Sequence, residues 1–325
     1  MPINCNHQTK SKQLINSLFF ILPLAFILAG QKASFAADWM YARDAVGDYL
    51  SSSTARDYDI FGIGIKDDGD NVFVGINSNM SRDGYNVSQR ICSGGQCYNI
   101  SNGNIGWGDL FFDFSGNREF GTSNDNRQLF GVRFAPGNDS KVGLGIYNNV
   151  YGVGVQGQNA GYLNFGRHYN SLPTQQQKQT TNVGDLAWND SYWGSRYTYS
   201  GNREAVPNVI ALGDRIGDVE LLDSNSLYAA GFGQGLFQGS QLFGFKFSRS
   251  LLPSGNFIAS LFEECLNDAI ALRGRFDVPI PKIVTPPQPP VTLPPIESVP
   301  EPSAIAGLIM VALLGGKRVL RLKRI

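Results

Sequence analysis

The feature that most constrains the fold of this chain is an alternation of apolar side chains between residues 57 and 79. Apolar residues recur at every second position on two arms, at Phe61, Ile63, Ile65, Val72, Val74 and Ile76. Asp68 and Gly69 lie between the arms, and an Asp-Gly pair favours a tight hairpin turn. Because successive side chains of a strand point to opposite faces, this spacing predicts an antiparallel hairpin with one buried face.

Similar short runs recur along the middle of the chain. They are rich in aromatic and β-branched residues, are separated by Gly, Asn, Asp and Ser, and predict strands at 109–114, 129–135, 141–156, 161–166, 195–200, 208–213, 226–233, 241–248 and 256–262. Helical spacing is limited to a turn at most, at 217–222 and 269–272. The pattern predicts an all-β fold with a single antiparallel β-sandwich or jelly-roll-like domain over residues 37–277.

Charge is unevenly distributed along the chain. The total of 27 basic and 27 acidic residues is balanced, but residues 1–36 and 303–325 contain Lys or Arg and no Asp or Glu. The part between them therefore has a net charge of −8. A nucleic-acid-binding domain needs the opposite sign, so nucleic acid is excluded as a partner.

The N-terminus has the three parts of a secretory signal peptide. Lys10 and Lys12 precede thirteen apolar residues at 18–30, and small residues Ser34 and Ala36 follow. A permanent membrane anchor is the alternative, but thirteen helical residues rise only about 20 Å against a hydrocarbon core of about 30 Å. We therefore predict a signal peptide over 1–36 that is cleaved after Ala36, with the Sec-type export machinery and signal peptidase as partners.

A proline-rich stretch follows the predicted body. Ten of the 16 prolines lie between Pro279 and Pro302. Proline lacks the amide donor of helices and sheets, so residues 278–299 are predicted to be an extended linker. The whole proline-rich stretch would be on the order of 70 Å long in this conformation. An SH3-type ligand is the alternative, but an exported protein rarely meets such domains.

The chain ends in an apolar segment and a basic tail. Residues 304–316 are apolar, and the terminal residues 317–325 contain five Lys or Arg. The positive-inside rule predicts a short transmembrane helix with its tail in the cytoplasm and everything upstream outside. The alternative is a core helix, but a core helix is not expected to be followed by such a cluster.

These terminal features resemble the PEP-CTERM sorting signal of bacterial surface proteins. Pro300, Glu301 and Pro302, the apolar segment and the basic cluster stand in the order of that signal, over the last 27 residues. The resemblance implies that 300–325 is a sorting signal, that Pro300, Glu301 and Pro302 are recognised by the membrane protease exosortase, and that the body is released or transferred. The body is more loosely similar to cyanobacterial-type exosortase-dependent surface proteins, through residues 104–116, 129–140 and 257–274. The resemblance to that group implies where this protein is located, but it implies no biochemical mechanism.

Three cysteines are predicted to remain after Cys5 leaves with the signal peptide. Cys92 and Cys97 enclose two glycines, and export favours oxidation, so they are predicted to form a disulfide. A metal site is the alternative, but the mature chain has one histidine and no second cysteine pair at ligand spacing. Cys265 is left over.

An acidic turn offers a candidate calcium site. Asp67, Asp68 and Asp70 supply carboxylates, which suit a hard cation. The turn lacks the bidentate Glu of an EF-hand loop, and Asp, Gly and Asn are also what a hairpin turn requires. We therefore predict a turn here and no metal or other cofactor, with calcium as the alternative; the same applies to residues 138–140.

No catalytic residue is predicted. The Gly-rich residues 231–239 lack a nucleotide-binding spacing, so their glycines are assigned to twisted strands and close sheet packing. There is no G-x-S-x-G motif, and His168 is expected to be half-exposed at the end of a strand. Glu263 and Glu264 are adjacent on a predicted strand and should point to opposite faces, so they do not form a catalytic pair.

The sequence therefore predicts an exported, noncatalytic protein that is held at the membrane transiently and then displayed on the cell surface or secreted into the extracellular matrix. The first alternative is a carbohydrate-binding module for exopolysaccharide. Its candidate sugar-stacking side chains are Tyr192, Trp193, Tyr197 and Tyr199, although such residues more often fill a core. The second alternative is a secreted glycan hydrolase, for which no acidic pair can be nominated.

Overall fold

The computed structural model describes residues 38–48, 55–88, 90–93, 96–100, 102–116, 118–233 and 235–278. The predicted signal peptide, the sorting signal and all of the proline-rich linker except Val278 lie outside the described residues. The described residues belong to one compact unit. The boundaries at residues 36, 277 and 299 stay predictions.

Antiparallel strands make up most of the secondary structure. In chain order they are β1 (Met40–Arg43), β2 (Ile60–Asp67), β3 (Asn71–Ser78), β4 (Tyr85–Asn86), β5 (Arg90–Ser93), β6 (Gln96–Asn99), β7 (Asn104–Ile105), β8 (Leu110–Asp113), β9 (Leu129–Arg133), β10 (Gly145–Val153), β11 (Asn182–Val183), β12 (Leu186–Ala187), β13 (Val209–Gly217), β14 (Glu220–Leu222), β15 (Gln241–Ser248), β16 (Gly255–Phe262) and β17 (Ala269–Phe276). The prediction of a mostly β, antiparallel protein is confirmed.

The strands form two larger sheets. A five-stranded sheet has the order β1-β2-β3-β15-β14, and a six-stranded sheet has the order β13-β10-β9-β8-β16-β17. The predicted hairpin of residues 57–79 is confirmed as β2–β3, with Ile63 paired to Ile76 and Asp67 to Val72. Three short ladders, β4–β7, β5–β6 and β11–β12, complete the pairing.

Both larger sheets contribute side chains to one inner apolar cluster. Its members include Ile63, Ile65, Val74, Ile76, Phe245, Phe112, Val132, Phe257, Leu261 and Leu272. Along β16 the period-two pattern is clear, because Phe257, Ala259 and Leu261 belong to this cluster. Ile258, which lies between the first two, and Phe262, which follows Leu261, belong to a second cluster on the other face of the same strand.

Other strands of the six-stranded sheet, together with short helices and loops, supply the rest of that second, outer cluster. The helices are α1 (Phe120–Asp125), α2 (Phe165–Ser171), α3 (Gln175–Thr180), α4 (Gly194–Thr198) and α5 (Ser224–Ala229). The buried rings of Phe120 and Phe165 pack against Phe262 of the sheet, and Tyr197 packs against Phe120. Among the described residues, no helix has the length and apolarity needed to cross a bilayer.

Three predicted strands are wrong. Residues 161–166 form a loop and the start of α2, residues 195–200 coincide mostly with α4, and residues 226–233 form α5 and a loop. Local capping explains two of them: the Asn164 side chain accepts from the amide of Arg167, and the Asp223 side chain accepts from the amide of Ser226. These bonds satisfy amides that a helix start otherwise leaves unpaired. Conversely, the single helical turns expected at 217–222 and 269–272 are largely strands β14 and β17.

Glycines of the five-stranded sheet allow aromatic rings to lie directly on its outer face. The loop after α5 places Phe232 there, where a Cβ on Gly75 would be 2.4 Å from the ring. The glycines of 231–239, assigned to twisted strands, lie instead in this loop. Close packing in this region therefore depends on strand glycines such as Gly64 and Gly75.

Candidate functional site

Three buried carboxylates meet beside the end of β1. Asp44 and Asp48 lie in the segment that follows β1, and Asp268 lies in the turn before β17. One oxygen from each carboxylate lies within 4.8 Å of the others. Their exposed fractions are 8%, 2% and 4%, so the group is largely removed from water. We call Asp44, Asp48 and Asp268 the carboxylate cluster.

Backbone amides hold two of these carboxylates in place. The amide of Gly184, in the β11–β12 turn, donates to Asp44 Oδ1 at 2.8 Å. The amide of Ile60, at the start of β2, donates to Asp268 Oδ2 at 2.6 Å. The cluster therefore lies where the segment after β1, the β11–β12 turn and the start of β2 converge.

Two oxygens of the cluster accept no hydrogen bond from a donor group outside the cluster among the described residues, while the carboxyl groups of Asp44 and Asp268 can share a proton in a hydrogen bond with each other. These two oxygens are Asp44 Oδ2 and Asp48 Oδ1. A small cavity of about 10 Å³ lies beside two of the three carboxylates, and its lining includes Asp48, Asp268, Asn182 and His168. That volume is about the space needed for one water molecule.

Burial and mutual repulsion disfavour ionisation of the cluster. Burial, followed by the charge of Asp59, raises the pKa of Asp48 to about 8. Burial also raises the pKa of Asp44 and of Asp268 well above the ordinary range, with a neighbouring carboxylate as the second cause in each case. In the absence of a bound cation, the cluster would therefore retain protons at neutral pH.

The expectation of a half-exposed His168 at a strand end is wrong. His168 lies in α2, is 7% exposed, and has no hydrogen-bond partner at Nε2 among the described residues. Burial lowers its pKa to about 4, against the effect of a hydrogen bond with the backbone of Asp48. The imidazole is therefore neutral at pH 7, and the sequence missed it because only tertiary packing brings α2 to the cluster.

An open cleft borders the cluster on the solvent side. Its volume is about 550 Å³, and its lining includes Arg43, Asp44, Thr174, Gln177 and Asn182. The lining residues that the structure describes are polar or aliphatic, and none of them is aromatic. These described residues therefore offer no aromatic ring on which a sugar could stack.

The acidic turn that was the calcium alternative is organised as a turn. Asp67 Oδ1 accepts from the amide of Gly69, and Asp68 Oδ1 accepts from the amides of Asp70 and Asn71. Asp67 Oδ2 is paired with the guanidinium of Arg249 at 2.5 Å. Asp67, Asp68 and Asp70 do not form a convergent group of three oxygens among the described residues.

The two glutamates after β16 face different surroundings. Glu263 is within 3.6 Å of the Cys265 thiol, which donates to its Oε2. Glu264 instead accepts from the amide of Gly106 at 2.8 Å and from the amide of Asp139 at 2.6 Å. Both residues follow β16, which ends at Phe262. Glu264 thus anchors two loops of the body through its carboxylate.

Three of the four aromatics considered for sugar stacking are buried. Tyr192, Trp193 and Tyr197 are between 0% and 6% exposed and belong to the outer cluster. Tyr199 is 67% exposed. The core interpretation of the first three is therefore confirmed, and the glycan-binding alternative loses most of the side chains on which it depended.

Cys92 and Cys97 are directly opposite each other in the β5–β6 ladder. Opposed residues have Cα atoms about 4.5–5.5 Å apart, within the range of about 4.4–6.8 Å that a disulfide spans. The side chain of Cys92 lies outside the described atoms, so the disulfide stays a prediction. Cys265 is a buried free thiol.

We expect thiol labelling of the unfolded mature protein to test this disulfide. Before reduction, a maleimide should label only Cys265, and after reduction it should label Cys92 and Cys97 as well. A Cys265→Ser variant should therefore take up no label before reduction. Mass spectrometry that finds three labels without reduction would contradict the disulfide.

Comparison with protein-family models, with curated proteins and with solved structures finds no match to the chain.

Proposed function

We propose that this chain is an exported cell-surface or extracellular-matrix protein whose noncatalytic body is a β-sandwich with a jelly-roll-like arrangement. The observation that carries the proposal is the order of features at the two ends of the sequence. A cleavable signal peptide precedes the body, and a proline-rich linker, a Pro-Glu-Pro motif, an apolar segment and a basic tail follow it.

The proposed route has two cleavages. Signal peptidase cuts after Ala36 once the Sec-type machinery has exported the chain. The apolar segment then holds the body at the outer face of the membrane until exosortase recognises Pro300, Glu301 and Pro302. Its cleavage leaves the body on the surface or releases it.

The geometry of the body supports a noncatalytic role. The inner cluster receives side chains from both sheets, which is the packing expected of a β-sandwich. The hydrogen-bonded oxygens of Asp67, Asp68 and Glu264 serve turns and loop anchors. Among the described residues, the lining of the open cleft near the carboxylate cluster offers no ring on which a sugar could stack, so the cleft gives glycan binding no support.

We expect mass spectrometry of the protein recovered from the surface of its native host to reveal both cleavages. The mature chain should begin at Ala37 and should lack the segment 304–325. A Pro300→Ala, Pro302→Ala double variant should retain Ile325 and stay in the membrane fraction, because the recognition motif is lost.

The matched control replaces two prolines outside the motif. A Pro294→Ala, Pro295→Ala variant shortens no segment and should be processed like the parent. Parent protein that ends in Ile325 on the cell surface would refute processing. A reporter fused just ahead of residue 300 and found in the cytoplasm would refute export itself.

A further inference from the structure

The three carboxylates of the cluster lack a positively charged partner among the described residues. Three carboxylate oxygens lie within 4.8 Å of one another in a buried position. Among the described residues, no Lys or Arg forms an ion pair with Asp44, Asp48 or Asp268. Asp59, which is also buried, adds another carboxylate nearby. Buried charges are normally paired or coordinate a metal, so the cluster needs compensation by protons or by a cation.

A second observation points to a bound species rather than to protons alone. His168 comes from a different element, is nine-tenths buried, and has an unpartnered Nε2. It lines the same cavity of about 10 Å³ as Asp48 and Asp268. Asn182 also lines this cavity, and its Oδ1 likewise has no partner among the described residues. A space for one water molecule, bordered by polar groups that lack partners, is the environment of a ligated water.

We propose that Asp44, Asp48 and Asp268 bind a divalent hard cation, with Ca²⁺ as the favoured ion. Carboxylate oxygens are the ligands that hard cations prefer, whereas zinc selects nitrogen and sulfur. Oxygens on opposite sides of Ca²⁺ are about 4.6–5.2 Å apart, since each bond is about 2.3–2.6 Å long. The three carboxylate oxygens of the cluster lie within 4.8 Å of one another, so they are close enough together to surround such an ion. A water on the cation fills the cavity and donates to His168 Nε2.

This site fastens the beginning of the body to its last strand. Asp44 and Asp48 belong to the segment after β1, while Asp268 directly precedes β17. Binding of a cation to the folded state alone raises stability by mass action. The inference concerns the body only, and it does not depend on the proposed sorting route.

The test is thermal unfolding of the purified full-length protein after removal of metals with EDTA. At about 100 times its dissociation constant, CaCl₂ is expected to raise Tm by about 5–10 °C. MgCl₂ should give a smaller shift, because Mg²⁺ demands shorter bonds and retains its waters. An equal shift with Mg²⁺ would still support a hard-cation site, whereas the absence of a shift with both ions would overturn the proposal.

A conservative variant distinguishes the cation from protons. Asp48→Asn removes one charge at nearly constant volume, so the variant should be no less stable than the parent in EDTA. Its affinity for Ca²⁺, obtained from the dependence of Tm on the CaCl₂ concentration, should be at least tenfold lower than that of the parent. If Asp48→Asn raises Tm in EDTA and neither CaCl₂ nor MgCl₂ changes the Tm of the parent, the carboxylates are compensated by protonation alone and the proposal fails.

A matched control and a direct probe complete the experiment. Asp68→Asn, in the exposed turn, can still accept the two amides at Oδ1, so it should retain the full shift with CaCl₂. Trp188 lines the cavity and should sensitise luminescence from Tb³⁺ bound in place of Ca²⁺. Trp188→Phe should lower this emission several-fold, and CaCl₂ should displace the Tb³⁺. A Ca²⁺ shift that is lost in Asp68→Asn but retained in Asp48→Asn would place the ion in the turn and overturn the assignment.

Discussion

Replacement of Trp193 by alanine is expected to lower the free energy of unfolding by about 3–5 kcal/mol. Trp193 is fully buried, and its ring packs against Phe120, Phe165 and Phe262 at centroid distances of 5.9, 4.7 and 6.0 Å. The indole Nε1 also donates to the carbonyl of Ala187 at 3.2 Å. The variant thus loses apolar burial, leaves a cavity and loses the hydrogen bond to Ala187.

Urea unfolding of the Trp193→Ala variant checks this expectation. Tyr199→Ala is the matched control, because Tyr199 is 67% exposed and its loss should change stability by no more than about 0.5 kcal/mol. If Trp193→Ala were as stable as the parent and had lost affinity for a polysaccharide, Trp193 would be a binding residue and the core assignment would be wrong.

The second large effect is a pH-dependent contribution of Glu264 to stability. Burial raises the pKa of Glu264 to about 8, against the hydrogen bond from the amide of Asp139. Because this value lies above that of the unfolded chain, the folded protein binds the extra proton between the two values. The contribution is therefore fully present below about pH 4 and is lost as pH rises towards 8, at about 1.4 kcal/mol per pH unit.

A Glu264→Gln variant isolates this contribution. Glutamine has one side-chain acceptor, whereas Glu264 uses both oxygens, for the amides of Gly106 and Asp139. At pH 5 the variant should be less stable than the parent by about 1–3 kcal/mol. The stability of the parent relative to the variant should fall by about 1.4 kcal/mol for each pH unit towards pH 8, since glutamine takes no proton. The difference should therefore change sign within this range, and the variant should be the more stable protein at pH 8.

The measurement is urea unfolding of both proteins in EDTA at pH 5, 6, 7 and 8. Glu220→Gln is the control for the chemical change itself: this residue is 65% exposed beside Lys246, and its replacement should change stability by no more than about 1 kcal/mol. A Glu264→Gln difference that stays constant or grows with pH would show that Glu264 is ionised in the folded protein.

Much of the β architecture was predictable from local pattern. The alternation that includes Ile63 and Ile65 predicted the correct hairpin, because a period of two commits one face of a strand to the core. The alternation was wrong at Phe61, where a register shift in the ladder places Ile60 in the inner cluster instead. The same reasoning failed at 195–200, where Tyr197 and Tyr199 also alternate. There α4 forms instead, and it buries Tyr197 against the rings of the outer cluster.

The carboxylate cluster was not predictable from the sequence. Asp44 and Asp48 are four residues apart, but Asp268 lies 220 residues after Asp48. No metal-binding motif in the surrounding sequence connects the three residues. The acidic turn was the more visible signal, because Asp67, Asp68 and Asp70 are adjacent in the chain. Adjacency in that case reflects the hydrogen bonding of a hairpin turn.

The sequence by itself determined that the chain folds from antiparallel strands, because period-two alternation and turn residues act over distances of a few residues. The order of its terminal segments likewise predicts export and sorting, since apolar length and flanking charge are local properties. Only the tertiary structure decided which polar groups meet. Asp44, Asp48, Asp268 and His168 come together through the packing of β1, β17 and α2, and contacts between distant segments leave no periodic trace in the sequence.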